Sequence, residues 1–237
     1  MFDIAHHLLY HMVMAKVLVI GDTHCPCMLD GYIPFLKRVY RQYKCNRVVM
    51  IGDLVDWASI SYHEKMTGLK DAPGEYRKAY KQVQKLYKAF PTAHWLVGNH
   101  DALTKRQAMT AGIPEVALRS YTDLWDLPNW TSVERFGALF IDGVLYQHGD
   151  RGLSRMPAAL TQAKSEGCSV VQGHLHAQAG VWYSANHRAR IFGLQTGCGV
   201  DHSLEAQAYG KKYNNKPIIG CGVVDGGKVA HFIPMEL

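Results

Sequence analysis

The sequence predicts an α/β fold: two packed sheets with helices on their outer sides. Three observations carry that expectation. Short aliphatic, β-branched runs recur along the chain and read as buried strands. Stretches with helical spacing of apolar residues lie between several of them. Five of the runs are followed at once by Asp, His or Asn. In open α/β sheets, ligands collect outside the carboxyl ends of the strands. Five such ends carrying these residue types therefore describe one site rather than five unrelated loops.

The five copies can be read directly. Val17-Leu18-Val19-Ile20-Gly21 leads to Asp22 and His24, and Val48-Val49-Met50-Ile51-Gly52 to Asp53 and Asp56. His94-Trp95-Leu96-Val97-Gly98 leads to Asn99, His100 and Asp101, and Val144-Leu145-Tyr146-Gln147 to His148, Gly149 and Asp150. Ser169-Val170-Val171-Gln172-Gly173 leads to His174 and His176. Continued strand alternation would aim those two histidines to one side. On a loop past the strand end, both still reach one site.

The remaining elements follow in chain order. Strand 17–21 is followed by a ligand loop and a helix over 32–44, with Ile33, Leu36, Tyr40 and Tyr43 on its apolar face. Strand 48–51 completes a βαβ unit and so a parallel pair. Residues 57–72 read as loop-rich. Asp71-Ala72-Pro73-Gly74 opens a helix over 74–89, whose stripe of Tyr76, Ala79, Tyr80, Val83, Leu86, Tyr87 and Phe90 is expected in the core. Pro91 ends it before strand 93–97. Residues 102–131 suggest a short helix and loops around Pro114 and Pro128. Phe136–Ile141 and Val144–Gln147 form a hairpin through Asp142-Gly143. A helix over 154–167 precedes strand 169–172, and further strands are expected at 189–194, 218–224 and 228–233. No internal repeat or low-complexity linker interrupts the pattern.

Asp22-x-His24, Gly52-Asp53-x-x-Asp56, Gly98-Asn99-His100-Asp101, His148 and Gly173-His174-x-His176 resemble, in order, the five motifs of the calcineurin-like metallophosphoesterases. The resemblance spans roughly residues 16 to 233. It implies a four-layer α/β/β/α sandwich with a dinuclear metal site at the strand carboxyl ends. It places Asp22, His24, Asp53 and His176 on one metal, and Asp53, Asn99, His148 and His174 on the other, with Asp53 as the bridge. It makes His100 the catalytic histidine, and Asp56 the carboxylate that orients it. Asp101 and Asp150 read as supporting hydrogen-bond acceptors.

Those ligand types fit hydrolysis of a phosphate ester. Two metals ~3.5–4 Å apart activate a bridging water and clamp phosphoryl oxygens. Mixed Asp, Asn and His ligation suits Mn²⁺, Fe²⁺, Zn²⁺ or Ni²⁺ better than an all-oxygen Ca²⁺ or Mg²⁺ cage, and Mn²⁺ is the first expectation. Protein Ser/Thr phosphatases of this superfamily carry Arg-Gly after the second Asp of their second motif, where this chain has Trp57-Ala58. They also carry Glu after the catalytic histidine, where this chain has Asp101. The Gly-Asn-His-Asp form is more similar to the phosphodiesterase and nuclease branch. The expectation is a phosphodiesterase acting on nucleotides or nucleic acid. The alternatives are a phosphomonoesterase on small molecules or phosphoproteins, and a metal-bound scaffold without activity. The intact ligand set and His100 argue against the scaffold. No domain for capping DNA follows residue 237, so a processive break-repair nuclease is not expected.

Composition agrees. The 237 residues suffice for one sizeable α/β domain, here 16–237 with an extension over 1–15, in which Met14 is an alternative start. That extension, with His6, His7 and His11, lacks the basic start of a secretory signal. With 48% apolar and 19% charged residues, and no apolar run near the ~20 residues of a membrane span, no membrane role is expected. Six cysteines without a C-x-x-C pair read as reduced thiols in a cytoplasmic protein. Oxygen and imidazole ligands complete the site without the thiolates of Cys25 and Cys27. The net charge of +6 favours polyanionic substrates in general. Lys37, Arg38, Arg41, Lys44 and Arg47 read as the solvated face of a helix. Residues 197–217, with Asp201, His202 and Lys211-Lys212, read as a surface loop rather than a gate.

Overall fold

Successive residues of the central strands point into two different layers of core, which is why these runs are apolar at every position. In β1 (Lys16–Ile20), Leu18 and Ile20 pack to one side and Val17 and Val19 to the other. β2 (Arg47–Met50) repeats the pattern, with Val48 and Met50 opposite Val49. The structure is a computed structural model and describes residues 14–62, 71–152, 155–201, 203 and 216–236.

After β1 come α1 (Tyr32–Gln42), β2, α2 (Ala72–Ala89), β3 (Ala93–Leu96), α3 (Leu103–Thr110), α4 (Tyr121–Trp125) and β4 (Trp130–Val133). Next are β5 (Leu139–Ile141), β6 (Val144–Gln147), α5 (Ala158–Glu166), β7 (Ser169–Gln172), β8 (Ala179–Ala185), β9 (Arg190–Thr196), β10 (Gly220–Asp225) and β11 (Val229–Pro234). Among the described residues the strands form a sheet of six, ordered β11-β10-β1-β2-β3-β4, and a sheet of five, ordered β5-β6-β7-β9-β8.

Three bodies of core separate four layers. Residues of α1, α2 and α4 cover the outer face of the first sheet. Val17, Val19, Val49, Ile51, Tyr146, Val171 and Leu194 fill the space between the sheets. Ala163 of α5 meets Leu145 and Val170 on the outer face of the second sheet. The α/β/β/α sandwich is therefore present. Each buried aliphatic side chain contributes about 1.5–3 kcal/mol. An exposed pair such as Lys16–Asp225, at 3.2 Å, adds at most about 1 kcal/mol. Packing holds the fold.

Local signals explain most boundaries. Asp71 caps α2 by accepting from the Gly74 N–H at 2.8 Å. Asp142 and Gly143, both left-handed (φ 48° and 76°), make the tight β5–β6 hairpin turn. Pro157 delays the start of α5 to Ala158, later than the pattern suggested. The stripe on α2 is core as expected: Ala79, Val83, Leu86 and Phe90 are buried, and Tyr76, Tyr80 and Tyr87 pack against them.

One expectation needs correction, and two strands went unread. The buried face of α1 is Tyr32, Phe35, Leu36 and Val39, with Ile33, Tyr40 and Tyr43 only partly covered. Tyr32 turns the helix that way by donating to the Gly220 carbonyl at 2.7 Å. β4 and β8 were not anticipated as strands. Both are edge strands that lean on a neighbour, β4 on β3 and β8 on β9, and their half-exposed faces hide the strand pattern.

The topology positions the site. β1, β2 and β3 are parallel neighbours, and so are β6 and β7, so five ligand loops leave carboxyl ends on one side of the sandwich. The exposed Lys37, Arg38, Arg41 and Lys44 lie on or just after α1, and Arg47 starts β2, at the edge away from those loops. Much of the 197–217 loop lies outside the described residues.

Candidate metal centre

The loops after β1, β2, β3, β6 and β7 bring all nine singled-out residues together. Close approach of the backbones demands glycine at the strand ends. A Cβ at Gly52 would collide with the His148 imidazole, and one at Gly98 with the Asp53 carboxylate. Just beyond, His24, Asp53, Trp57 and His174 are all left-handed (φ 44°, 47°, 52° and 66°). Such conformations cost non-glycine residues of order 1–3 kcal/mol and collect at functional sites.

Two groups of ligand atoms result. Asp22, His24 and His176 form one, and Asp53, His148 and His174 the other, each with its atoms within 4.8 Å of one another. In the first, His176 Nε2 lies 3.1 Å from Asp22 Oδ2. In the second, His148 Nε2 lies 3.2 Å from Asp53 Oδ2 and 3.1 Å from Asn99 Oδ1. The same Asp53 oxygen is 3.6 Å from His24 Nε2, so it stands between the groups. His174 and His176 leave the strand direction and divide, one to each group.

A third constellation, His24, Asp56 and His100, is closed by its own hydrogen bonds. Asp56 Oδ1 accepts from His24 Nδ1 at 2.8 Å and sits 3.3 Å from His100 Nδ1, while the Asp56 carbonyl accepts from that His100 nitrogen at 2.7 Å. Asp56 thus braces a candidate ligand as well as the histidine it was expected to orient. A second partner of this kind fixes ring orientation and leaves the far nitrogen for a metal. His148 has the same arrangement, with Nδ1 on the Ile51 carbonyl at 3.0 Å.

These residues fit a cation. Asp22 Oδ1 and His24 Nε2 are buried and have no hydrogen-bond partner among the described residues. A buried acceptor left that way costs about 1–3 kcal/mol, which a metal ion removes.

The electrostatics point the same way. Burial pushes the Asp53 carboxyl up, but the imidazoles of His148, His100 and His24 outweigh it and hold it well below the usual range. Burial also opposes charge on His148 and His100, yet Asp53 raises each to about 10. His24 and His174 go the other way, lowered first by burial and then by His100 and His148 respectively. Asp101 is raised to about 7 by burial and by Asp53. It accepts from the N–H groups of Val55, Gly98 and the Trp95 indole at 2.9–3.1 Å, so it ties two ligand loops together. Asp150 pairs with Arg135 Nε at 2.7 Å. Cys25 is buried, burial pushes its thiol to about 12, and it belongs to neither group of candidate ligand atoms. None of the six cysteines is in a disulfide.

A cavity of about 590 Å³ opens beside His174, with Phe136, Asp150 and Arg151 in its walls. Sequence reasoning missed Phe136 and Arg151. The only signal was Arg151 following His148-Gly149-Asp150 directly.

The site and fold define a metal-binding hydrolase of phosphate esters. The calcineurin-like phosphoesterase family matches residues 15–204, and the chain belongs to that family. Among solved structures, Vacuolar Protein Sorting 29 from Cryptosporidium parvum is similar at 14% identity and a TM-score of 0.45, over 90% of this chain and 87% of that one. Yfce, a phosphoesterase from E. coli, is similar at 14% identity and a TM-score of 0.40, over 89% and 88%. The comparison with curated proteins found no match. No helix among the described residues is long and apolar enough to cross a membrane.

Proposed function

We propose that the chain is a dinuclear phosphodiesterase acting on nucleotides or nucleic acid, with residues 16–237 as its domain. The observation that carries the reading is Asp53 Oδ2, set between His24 and His148 beside two ligand atoms without partners. In this reading Asp22, His24, Asp53 and His176 hold one divalent ion, and Asp53, Asn99, His148 and His174 the other. Mn²⁺ is the first choice, with Fe²⁺, Zn²⁺ and Ni²⁺ as alternatives for the same ligand types. The ions supply an activated water and neutralise charge on the phosphoryl group.

The chain's own groups do the rest. Asp56 and the Asp56 carbonyl engage His100 Nδ1 and leave Nε2 for the substrate. Against its burial, Asp53 and Asp56 both favour the protonated form of His100, so in this reading it can give a proton to the leaving oxygen. Asp53 Oδ1 accepts from the His100 N–H at 2.8 Å, which fixes the acid relative to the ligands. A diester is favoured over a monoester for two reasons. Trp57 stands where the protein Ser/Thr phosphatases of the superfamily carry an arginine. The cavity beside His174 has room for a second ester arm.

The test is parallel hydrolysis of bis(p-nitrophenyl) phosphate, p-nitrophenyl phosphate and single-stranded DNA. Chelation should abolish diester hydrolysis, and Mn²⁺ should restore it. Activity untouched by verified metal removal rejects the mechanism, and a preference for the monoester rejects the substrate class.

A further inference from the structure

The cavity beside His174 contains a cation that the proposed chemistry does not use. Arg135 and Arg151 both approach the Phe136 ring, with guanidinium carbons 4.4 Å and 5.0 Å from its centre. Asp150, the carboxylate in the cavity wall, is engaged by Arg135. Arg151 is exposed and pairs with no carboxylate among the described residues. The aromatic support is unusual in itself. Phe136 is 45% exposed and holds a left-handed backbone (φ 66°), which a bulky side chain adopts only under constraint. Its ring therefore serves as a rest for guanidinium groups, which stack on aromatic faces. The cavity thus presents one uncompensated planar fork next to a proposed metal ligand.

We propose that this cavity is a second anion subsite, in which Arg151 grips another phosphate of the nucleotide substrate while the reacting diester lies at the metal centre. An arginine fork matches phosphate oxygens in a bidentate manner. Walls that include Gly149 and Gly152 let a phosphate reach it without side-chain obstruction. The second phosphate can be the next internal diester of a strand or a terminal monoester. The proposal rests on the diesterase reading, and its test separates the two.

Calorimetry on the Mn²⁺-loaded full chain would compare thymidine 3′,5′-bisphosphate with thymidine 5′-monophosphate. The wild type should bind the bisphosphate about tenfold more tightly, as expected for one charge-assisted contact. Arg151→Ala should erase that advantage, and Arg151→Lys should restore part of it. In hydrolysis, the dinucleotide TpT would be set against TpTpT and pTpT. Arg151→Ala should raise KM for whichever longer substrate is preferred, and leave bis(p-nitrophenyl) phosphate unchanged. A gain for TpTpT assigns the subsite to an internal phosphate, and a gain for pTpT to a terminal one. An equal bisphosphate advantage in wild type and Arg151→Ala overturns the proposal. If no diester is hydrolysed but Arg151→Ala still erases the binding advantage, the subsite stands and the diesterase reading falls.

Discussion

The two groups of ligand atoms are built from similar residues but sit in different surroundings. Asp22 and His24 are fully buried, and Asp56 braces His24 from behind. The second group matches it in burial, since each has two buried residues and one partly covered histidine, His176 or His174, but only His174 lines the cavity. We call the group with the braced His24 inner and the cavity-facing group outer; in the proposed reading the outer one is placed to share its ion with substrate. Asp53, the oxygen between them, makes the two interdependent.

That interdependence gives the largest expected effect. Asp53→Asn keeps a residue that tolerates the left-handed backbone but removes the shared charge. Both ions should be lost together, and diester turnover should fall by more than about 10⁴-fold, the several kcal/mol that metal catalysis supplies. Metal analysis of the purified variant decides it. Loss of one ion alone would place the bridge elsewhere.

His100 separates catalysis from ligation. His100→Ala should keep both ions and near-normal stability while turnover falls by about 10²–10⁴-fold. The loss should be smaller for an aryl diester, whose leaving group needs no proton, than for an alkyl one. A variant short of one ion would make His100 a ligand.

Asp56→Asn tests the brace. It should weaken the inner ion by about 10–100-fold, the usual consequence of losing a ligand's outer partner. A milder turnover defect should accompany it, since His100 shares the same carboxylate. An unchanged inner affinity would reduce Asp56 to a partner of His100 alone.

How much of this was legible depends on where each residue lies. The five ligand strands could be read because both faces are buried, so hydrophobicity is unbroken and the ligands stand out at its end. β4 and β8 could not, because an edge strand with one open face carries no such run. Asp56 was read as an orienting carboxylate from the family resemblance, but its contact with His24 joins two loops 32 residues apart and has no local signature. Phe136 and Arg151 were invisible for the same reason. Their meaning comes from a cavity that only the packed loops create.

The smallest effect is the most specific to the difference between the groups. Coordination requires unprotonated imidazole, so protons compete with metal wherever a ligand histidine is charged. His24, lowered below its usual 6.5 by burial and His100, is already neutral at pH 7. His148, raised to about 10 by Asp53 against its burial, must first lose its proton. As pH rises from 7 toward 10, the outer group should gain affinity by up to about tenfold per unit, while the inner group gains nothing from His24. Filling the inner group draws on the same Asp53 charge, so the tenfold slope is an upper bound. Mn²⁺ titrations at pH 6.5, 7.5 and 8.5 should therefore show a nearly flat first affinity and a rising second one. Buffers of different ionisation heat should report proton release mainly with the second ion. Two parallel slopes would mean that Asp53 does not favour protonated His148 over His24, and the distinction between an inner and an outer group would lose its electrostatic basis.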